Sequence, residues 1–320
     1  MKKLLGIDIG GTKCAVLHGE YNGENLQVTA KEVFETGRYH DPMSALEKMA
    51  EIIQKTAGDK LCSYEGLGIS CGGPLDSAAG CIMSPPNLPG WDHVMAVDYF
   101  KKRFAIPVYL QNDANAGALA EWRFGAGRGL SNLIFLTCGT GLGAGLILNG
   151  RLYTGMDDMA GEAGHVRLSE FGPVGYGKCG SFEGFCSGAG IARLAELKVM
   201  EYKQMGKRHP LMENSITAKK VFQLAEGGDE LCKEICRTAG EYLGRGMAVL
   251  IDILNPQAII GGSVFARNYE LLMPFVKSVI EKECIPKAAQ SCKILPAMLS
   301  ESIGDMAALA VALGVGGKGN

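Results

Sequence analysis

The stretch LGIDIGGTKCAVL, residues 5–17, decides how the rest of the chain is interpreted. It places one carboxylate, Asp8, inside an apolar run that is typical of a buried strand, and two glycines follow directly. An ionised carboxylate in a buried strand is costly unless an opposite charge or hydrogen-bond donors face it. A glycine turn lets backbone N–H groups approach an anion closely because no Cβ stands in the way. The pattern predicts two strands joined by a turn that faces a charged ligand.

A second stretch, LIFLTCGTGLGAGLILNG at residues 133–150, repeats this layout of strand, glycine turn and strand. When the two hairpins are aligned, Thr137 falls at the position of Asp8, and Gly139 falls at the position of Gly10. The repeat predicts two related lobes, although two unrelated glycine hairpins would give the same local pattern. Two such turns can hold a polyphosphate. We therefore expect Asp8 beside bound Mg²⁺, directly or through water, with Thr12 and the Gly10 and Gly11 amides beside the phosphates.

Strands alternate with helices along the chain, which is typical of an α/β fold. An amphipathic helix is expected to begin after Asp41, its capping residue, with Pro42 at the first helical position. The predicted smaller lobe comprises residues 1–113 together with a C-terminal helix at 302–318. The larger C-terminal lobe comprises residues 114–301.

The bulk composition excludes several classes of function. The 320 residues include 32 basic and 34 acidic side chains, for a net charge of −2, which is not typical of a protein that binds nucleic acid or anionic lipid. Eleven scattered cysteines and the absence of a signal-peptide pattern indicate a reducing compartment. The uncharged stretch at 129–150 contains too many glycines and polar residues to be a membrane span. We expect a soluble, cytoplasmic protein with neither nucleic acid nor membrane as a partner.

The segment QNDANAG, residues 111–117, places Asn112 and Asp113 at the end of a predicted strand. A carboxylate in this position can accept a hydroxyl proton while a phosphoryl group is transferred to that hydroxyl oxygen. Asp113 can equally serve as the cap of the helix that follows, which is a common role for aspartate. The spacing alone leaves both interpretations open.

Seven motifs in a fixed order give the sequence a resemblance to the ROK family (repressor, open reading frame, kinase), the sugar kinases of the actin–hexokinase superfamily. These motifs are GIDIGGTK, GISCGGPLD, SPPNLPGW, QNDANAGALAEW, LTCGTGLGAG, GEAGH and IIGGSV, and they extend over essentially the whole chain. The resemblance implies a two-lobed, ribonuclease-H-like (actin-like ATPase) fold with a central cleft, in which ATP lies between the lobes. It also implies Mg²⁺, a small-molecule sugar as the phosphoryl acceptor, and a homodimer or homotetramer, while the residues themselves do not fix the assembly.

The resemblance assigns roles to individual residues, with Asp113 as the general base. The positions implied to contact the sugar are Asn87, Asn112, Asp113, Glu162, His165 and Glu183. The positions implied to contact ATP are Asp8, which would hold Mg²⁺ through water, and Gly10, Gly11, Thr12, Lys13, Thr137, Gly139, Thr140, Gly141, Gly261 and Gly262. The last two glycines also suit a strand end that needs small residues against a helix, and both interpretations can hold together.

The chain departs from this family at its metal site. Relatives have three cysteines that complete a tetrahedral zinc site with the histidine of GEAGH, here His165. In GYGKCGSFEGFCSG, residues 175–188, Gly177 stands at the first cysteine position and Cys179 at the second. Compared with the family pattern, three residues are missing before Ser181, which stands at the third position, so the loop is shorter. Two ligands then remain, whereas a structural zinc site normally has four.

Cys186 adds a third ligand at most, so we predict no structural zinc. The loop must then be held by packing, for which Phe182 and Phe185 are the candidates. Trp91 is likewise expected to pack its turn rather than to stack on substrate.

The leading hypothesis is an ATP-dependent hexose kinase that phosphorylates O6 of glucose, because NLPGW resembles the glucokinase branch. N-acetylmannosamine, other N-acetylhexosamines, fructose, allose and mannose stay open as substrates. A non-catalytic sugar-sensing member of the family is the alternative from a different class, and such a protein is expected to lose Asp8 or Asp113. A repressor would carry a winged helix-turn-helix, for which the seven residues before Asp8 are expected to leave no room. An acyl-phosphate-forming kinase is disfavoured by GEAGH and NLPGW.

Overall fold

The computed structural model describes residues 1–39, 41–213 and 215–314. In this part of the chain the strands are β1 (Lys2–Ile9), β2 (Lys13–Tyr21), β3 (Leu26–Glu35), β4 (Tyr64–Cys71), β5 (Leu75–Asp76), β6 (Cys81–Ile82), β7 (Val108–Asn112), β8 (Leu133–Cys138), β9 (Leu142–Leu148), β10 (Arg151–Tyr153), β11 (Val174–Gly175), β12 (Lys178–Cys179), β13 (Ala258–Gly261) and β14 (Lys293–Pro296). The helices are α1 (Pro42–Ala57), α2 (Ala96–Phe104), α3 (Asp113–Phe124), α4 (Phe182–Cys186), α5 (Gly188–Gln204), α6 (Ala218–Glu226), α7 (Glu230–Leu254), α8 (Ser263–Arg267), α9 (Tyr269–Glu283), α10 (Pro286–Ser291) and α11 (Ile303–Ala312).

Two five-stranded sheets have the same topology. The first has the order β3-β2-β1-β4-β7, and the second has the order β10-β9-β8-β13-β14. In the first sheet β1, β2 and β3 pair antiparallel, while β4 and β7 continue the sheet in parallel with β1. In the second sheet β9 and β10 pair antiparallel, while β13 and β14 run parallel with β8. The α/β class is confirmed, and the shared topology is what the repeated glycine hairpin predicts.

The chain divides into two compact units. Unit 1 contains Met1–Ser131, Gly145–Ala160 and the described residues from Met298 onward, and unit 2 contains Asn132–Ala144 and Gly161–Ala297. The lobe limits expected from the sequence, 1–113 with 302–318 and 114–301, stay a prediction. Residues 315–318 of that expectation lie outside the described residues.

In unit 1 the apolar face of α1 covers the first sheet. Leu46, Met49 and Ile53 recur at helical spacing and are fully buried, so they form one stripe of the helix. The helix begins as predicted: Pro42 is its first residue, and the Asp41 carboxylate accepts a hydrogen bond from the Ser44 amide at 2.9 Å. Trp91 lies in the same apolar core, as expected for a residue that packs its turn.

The opposite face of the first sheet is covered by α11. This face carries glycine where the helix backbone comes closest, since a Cβ on Gly68 would collide with the backbone of Ala308 and Ala312. The start of α11 is fixed by Glu121, a fully buried residue of α3. Its carboxylate accepts hydrogen bonds from the amides of Leu299 and Ala126, both at 2.8 Å. These hydrogen bonds therefore attach the segment just before α11 to the end of α3.

Unit 2 is built around the 25-residue helix α7, which packs against α9 and α6. Close approach of α7 and α9 depends on Gly244, where a Cβ would lie 2.7 Å from Cβ of Val279. The helical patterns of TAKKVFQLAE, residues 217–226, and EICRTAGEYLGRGMAVLIDIL, residues 234–254, predict α6 and α7, whereas no such prediction was made for α5 or α9. No helix among the described residues is long and apolar enough to cross a membrane.

We predict that Gly68→Ala lowers the free energy of unfolding by about 2–3 kcal/mol, because the new methyl group meets helix backbone that cannot rotate away. Urea unfolding measures the effect. The matched control is Gly37→Ala, where nothing lies within 4 Å of a Cβ, and its stability should change by less than about 0.5 kcal/mol. Equal stability of the two variants would show that α11 is not in contact with the sheet at Gly68.

Candidate active site

Asp8 lies one residue before the end of β1, between Ala15 of β2 and Ser70 of β4. It is on the face that α11 covers, and a Cβ on Gly304 would lie 3.4 Å from the Asp8 carboxylate. Burial raises the pKa of this carboxyl from 3.8 to about 6, with further increases from Asp113 and Asp305. The structure therefore gathers three carboxylates around the end of β1, and the cost of ionising Asp8 expected from the sequence is present.

A single cation partly offsets this concentration of negative charge. Lys31 of β3 lowers the pKa of Asp8, and its Nζ donates to both carboxylate oxygens of Asp305 at 2.7 and 2.9 Å. Lys31 and Asp305 were not identified from the sequence. They lie 274 residues apart in the chain, and no local pattern connects them.

The turn between β1 and β2, which we call turn 1 (residues 10–12), lies against the segment that contains Asn87. A Cβ on Gly11 would be 2.5 Å from the carbonyl oxygen of Asn87, so only glycine fits at this position. Gly11 and Thr12 are exposed, and so is Lys13, the first residue of β2. The Gly10 amide, which we expected beside the phosphates, donates instead to the carbonyl of Lys13 at 3.1 Å.

The structure at the end of β7 shows which residue caps α3. The cap of α3 is Asn112, whose Oδ1 accepts a hydrogen bond from the Asn115 amide at 2.7 Å. Asp113 is the first helical residue, and its Oδ1 accepts from the Ala114 amide at 2.8 Å. Burial raises the pKa of Asp113, which the Ala114 amide partly counteracts, although water reaches the side chain. Asp113 is therefore not required as the helix cap.

The corresponding turn of unit 2, turn 2 (residues 139–141), is held through its carbonyl groups. Gly188 donates to the Gly139 carbonyl at 2.8 Å, and Ala189 donates to the Thr140 carbonyl at 3.4 Å. Among the hydrogen bonds of the described residues, none uses the N–H groups of Gly139, Thr140 or Gly141. Successive backbone amides without protein partners are donors that an anion can use.

Glu183 of α4 also holds turn 2. Its Oε2 accepts from the Leu142 amide at 3.0 Å, and a Cβ on Gly141 would lie 2.9 Å from the same oxygen. Thr137 stabilises the other side of the hairpin, because its hydroxyl accepts from the Gly143 amide at 3.2 Å. The sequence assigned Glu183 to the sugar and did not reveal this contact with the turn.

Two further predicted sites lie in unit 2. Gly261 ends β13 and Gly262 follows it, and the Gly262 amide donates to the carbonyl of Leu136 at 2.9 Å. A Cβ on Gly139 would lie 3.8 Å from Oγ of Ser263, so the Gly261–Ser263 turn adjoins turn 2.

Glu162 and His165 belong to one short 3₁₀ turn, in which the His165 amide donates to the Glu162 carbonyl at 3.1 Å. Both His165 and Glu162 are exposed. The structure therefore gathers Asp8, turn 1, Lys13, Asn87, Asn112 and Asp113 in unit 1 and the other predicted residues in unit 2.

The shortened loop is held by packing and hydrogen bonds. Phe182 is 1% exposed and contacts Gly246, while Phe185 stacks on Tyr242 with ring centroids 3.5 Å apart. The Cys179 thiol donates to the Gly172 carbonyl at 3.1 Å. Phe182 and Phe185 thus pack as expected.

One cluster of three potential metal ligands is found among the described residues, away from that loop: His209, Asp229 and Cys232. His209 Nδ1 accepts from the Leu211 amide, so its proton lies on Nε2, which donates to Asp229 at 2.9 Å. Asp229 in turn caps α7 by accepting from the Cys232 amide. Because both ring nitrogens already have partners, this cluster is a helix cap.

With this geometry described, comparison with known proteins identifies the family. A model of the ROK family matches residues 4–314. The chain belongs to the ROK family. The glucokinase of Thermotoga maritima is 30% identical over 312 residues, which cover 97% of this chain and 96% of that protein. A xylose repressor of Caldicellulosiruptor bescii is 30% identical over 285 residues, which cover 87% of this chain and 70% of the repressor.

A solved structure of a ROK family glucokinase from Streptomyces griseus, in complex with glucose and AMPPNP, matches this ROK protein with a TM-score of 0.77. The sequence identity is 26%, and the match covers 97% of this chain and 99% of the other. These findings confirm the family and fold class expected from the motifs. Membership of the ROK family does not by itself distinguish kinases from repressors, because the glucokinase and the repressor have the same sequence identity to this chain.

The residues of this ROK protein fit a magnesium–nucleotide ligand in two respects. Mg²⁺ prefers carboxylate oxygens and water, and Asp8 offers a carboxylate whose ionised form is only partly compensated by Lys31. Phosphate oxygens accept hydrogen bonds, and the Thr140 and Gly141 amides offer donors without protein partners. The donor set therefore suits the group that the family implies.

We predict that Asp8→Asn raises the free energy of unfolding at pH 7 by about 1–3 kcal/mol in metal-free protein. The folded-state pKa, about 6, lies above the ordinary value of 3.8, so the folded protein holds a proton between these pH values that the unfolded chain has lost. Stability of the wild type therefore falls as pH rises through this window, whereas an asparagine carries no such penalty.

Urea unfolding at pH 4 and pH 7, in the presence of a chelator, measures the effect. The gain should nearly vanish at pH 4. The control Asp59→Asn, at an exposed position, should change stability by less than about 0.5 kcal/mol at both pH values. A variant no more stable than wild type at pH 7 would contradict the raised pKa.

We predict that protein purified without chelators contains less than one zinc ion per chain, because His165 and Cys179 do not complete a tetrahedral site. Elemental analysis of the purified protein measures the stoichiometry. One zinc per chain would contradict the assignment of Gly177 and Ser181 to former cysteine positions.

Proposed function

We propose that this ROK protein is an ATP-dependent sugar kinase that transfers a phosphoryl group to a hexose hydroxyl, with O6 of glucose as the first candidate acceptor. The observation that carries the proposal is the state of Asp113, a water-accessible carboxylate with a raised pKa that the helix does not need as a cap. Similarity to glucokinases over nearly the whole chain supports the same reaction. N-acetylmannosamine, fructose, allose and mannose are the alternative acceptors.

In this proposal Asp113 accepts the proton of the sugar hydroxyl as the new oxygen–phosphorus bond forms. A raised pKa brings a carboxylate nearer to the operating pH and makes it a better proton acceptor. Phosphoryl transfer needs little covalent assistance from the protein, so positioning and charge stabilisation account for most of the catalysis. Bound Mg²⁺ would neutralise developing negative charge on the phosphate oxygens.

The remaining residues bind and orient the substrates. In this proposal the Gly11 amide of turn 1 and the amides of turn 2 donate to phosphate oxygens, and Gly261 and Gly262 lie at the nucleotide. The side chains proposed to bind the sugar hydroxyls are Asn87, Asn112, Glu162, His165 and Glu183. Glu183 contributes through Oε1, since its Oε2 already accepts from Leu142.

A non-catalytic sugar-binding protein is the second candidate, because a xylose repressor is as similar in identity as the glucokinase. Both functions predict sugar binding. Only the kinase predicts release of ADP that depends on sugar, so one assay separates them.

The test is a coupled assay of ADP release with a panel of hexoses and N-acetylhexosamines, in which at least one sugar should give turnover. We predict that Asp113→Asn lowers kcat by about 10²–10⁴-fold, with sugar KM changed little, because the amide cannot accept the proton. Circular dichroism should show an unchanged fold. The control Asp98→Asn, on exposed α2 surface, should leave kcat within twofold. Asp113→Asn activity within a few-fold of wild type would exclude Asp113 as the base. Sugar binding without turnover for every sugar would favour the sensor.

A further inference from the structure

Thr36, the residue that follows β3, makes two hydrogen bonds to turn 1. Its side-chain hydroxyl donates to the carbonyl of Gly10 at 2.6 Å, and its backbone amide donates to the carbonyl of Thr12 at 2.9 Å. Thr36 is 8% exposed, so these bonds are shielded from water. Nothing in the sequence around Thr36 pointed to this contact, which connects residues 26 positions apart.

The hydroxyl of Thr36 is fully used by the protein. It has one proton, which it gives to Gly10, so the Cys14 thiol at 3.3 Å must be the donor in the bond between Cys14 and Thr36. A hydroxyl with both its donor and an acceptor role filled, and with little exposure, does not contact a ligand. Any effect of Thr36 on the reaction must therefore pass through turn 1.

The bond to Gly10 fixes the direction of the next amide group. In a trans peptide unit, the C=O and the N–H point in opposite directions because the unit is planar. The Gly10 carbonyl shares its peptide unit with the Gly11 N–H. Holding this carbonyl against Thr36 therefore turns the Gly11 N–H away from the protein interior. Among the hydrogen bonds of the described residues, none uses the Gly11 N–H, and Gly11 is exposed.

Turn 2 shows the same arrangement with different donors. There the backbone amides of Gly188 and Ala189 hold the carbonyls of Gly139 and Thr140, which turns the Thr140 and Gly141 amides the other way. Backbone donors cannot be removed by a side-chain substitution. In turn 1 the equivalent bond to Gly10 comes from one side-chain hydroxyl, so its contribution can be measured.

We propose that Thr36 is a positioning residue for phosphate binding by turn 1: its hydroxyl holds the Gly10 carbonyl so that the Gly11 N–H faces the nucleotide phosphates. This inference rests on the proposed kinase function and adds a residue to it. Loss of the hydroxyl frees the Gly10–Gly11 peptide unit to rotate, which weakens nucleotide binding and leaves sugar binding unchanged.

The test compares Thr36→Val, which keeps the shape and removes the hydroxyl, with Thr36→Ser, which keeps the hydroxyl. Thr36→Val should raise KM for ATP by about 10–100-fold, the range for losing a hydrogen bond to a charged group, with KM for the sugar within twofold. Thr36→Ser should return KM for ATP to within threefold of wild type. Binding of AMPPNP with Mg²⁺, measured by calorimetry, should weaken in parallel.

Cys14→Ala is the matched control, because it removes a buried partner of Thr36 and leaves the bond to Gly10 in place. Its KM for ATP should stay within threefold of wild type, even where its melting temperature falls as much as that of Thr36→Val. Should Thr36→Val not fold, Thr36→Cys replaces it as a weak donor and should give an intermediate KM.

The outcomes separate this inference from the proposed function. A wild type that neither binds AMPPNP nor releases ADP overturns both. A wild type that turns over, with KM for ATP unchanged in Thr36→Val, overturns the role of Thr36 and leaves the kinase intact. Equal increases in the KM for ATP and for sugar would also overturn it, because they indicate a general loss of structure.

Discussion

The placement of one carboxylate, Asp8, is the main electrostatic constraint on unit 1, because the side chain is only partly exposed to water and Lys31 only partly offsets its charge. Its position on the α11 face of the first sheet follows from strand alternation, which sends Ile7 and Ile9 into the apolar core and Asp8 to the other side. That face carries glycines, so α11 approaches closely and places Gly304 next to the carboxylate. The resulting burial disfavours the ionised form in the free protein. A bound cation at Asp8 would favour it, which couples the cost in stability to ligand binding.

Both glycine turns offer backbone amides to an anion for the same physical reason, although different segments hold the two turns. A turn without side chains is flexible by itself, and its amides point in useful directions only when the peptide units are held. In each turn the protein holds carbonyl groups and leaves neighbouring amides without partners. The support comes from segments distant in sequence, namely Thr36 for turn 1 and residues 183–189 for turn 2. The two hairpins therefore share a topology but not their supports.

The sequence predicted the features that residues close together in the chain determine. Alternation, turn glycines, the cap at Asp41 and the motif order predicted the α/β class, both hairpins and the family. Contacts between segments far apart in the chain, such as that of Lys31 with Asp305, leave no recognisable pattern in the sequence. Helix α5 begins with glycines and α9 contains Pro274, and both residue types disfavour a helix. The helical pattern of each segment is therefore interrupted at one position in the sequence. The roles of Asn112 and Asp113 could not be separated by spacing, because either residue can cap a helix. Only the observed bond from Asn115 distinguishes them.

The loop at residues 175–188 is held at its α4 end by aromatic packing. The Phe185–Tyr242 stack and the burial of Phe182 fix this end over a large contact area. The helix that carries both phenylalanines also carries Glu183, whose carboxylate holds turn 2. Because Glu183 directly follows Phe182, the packing of Phe182 also positions the carboxylate that accepts from Leu142, the residue after turn 2. Turn 2 is therefore supported in part by the packing of α4.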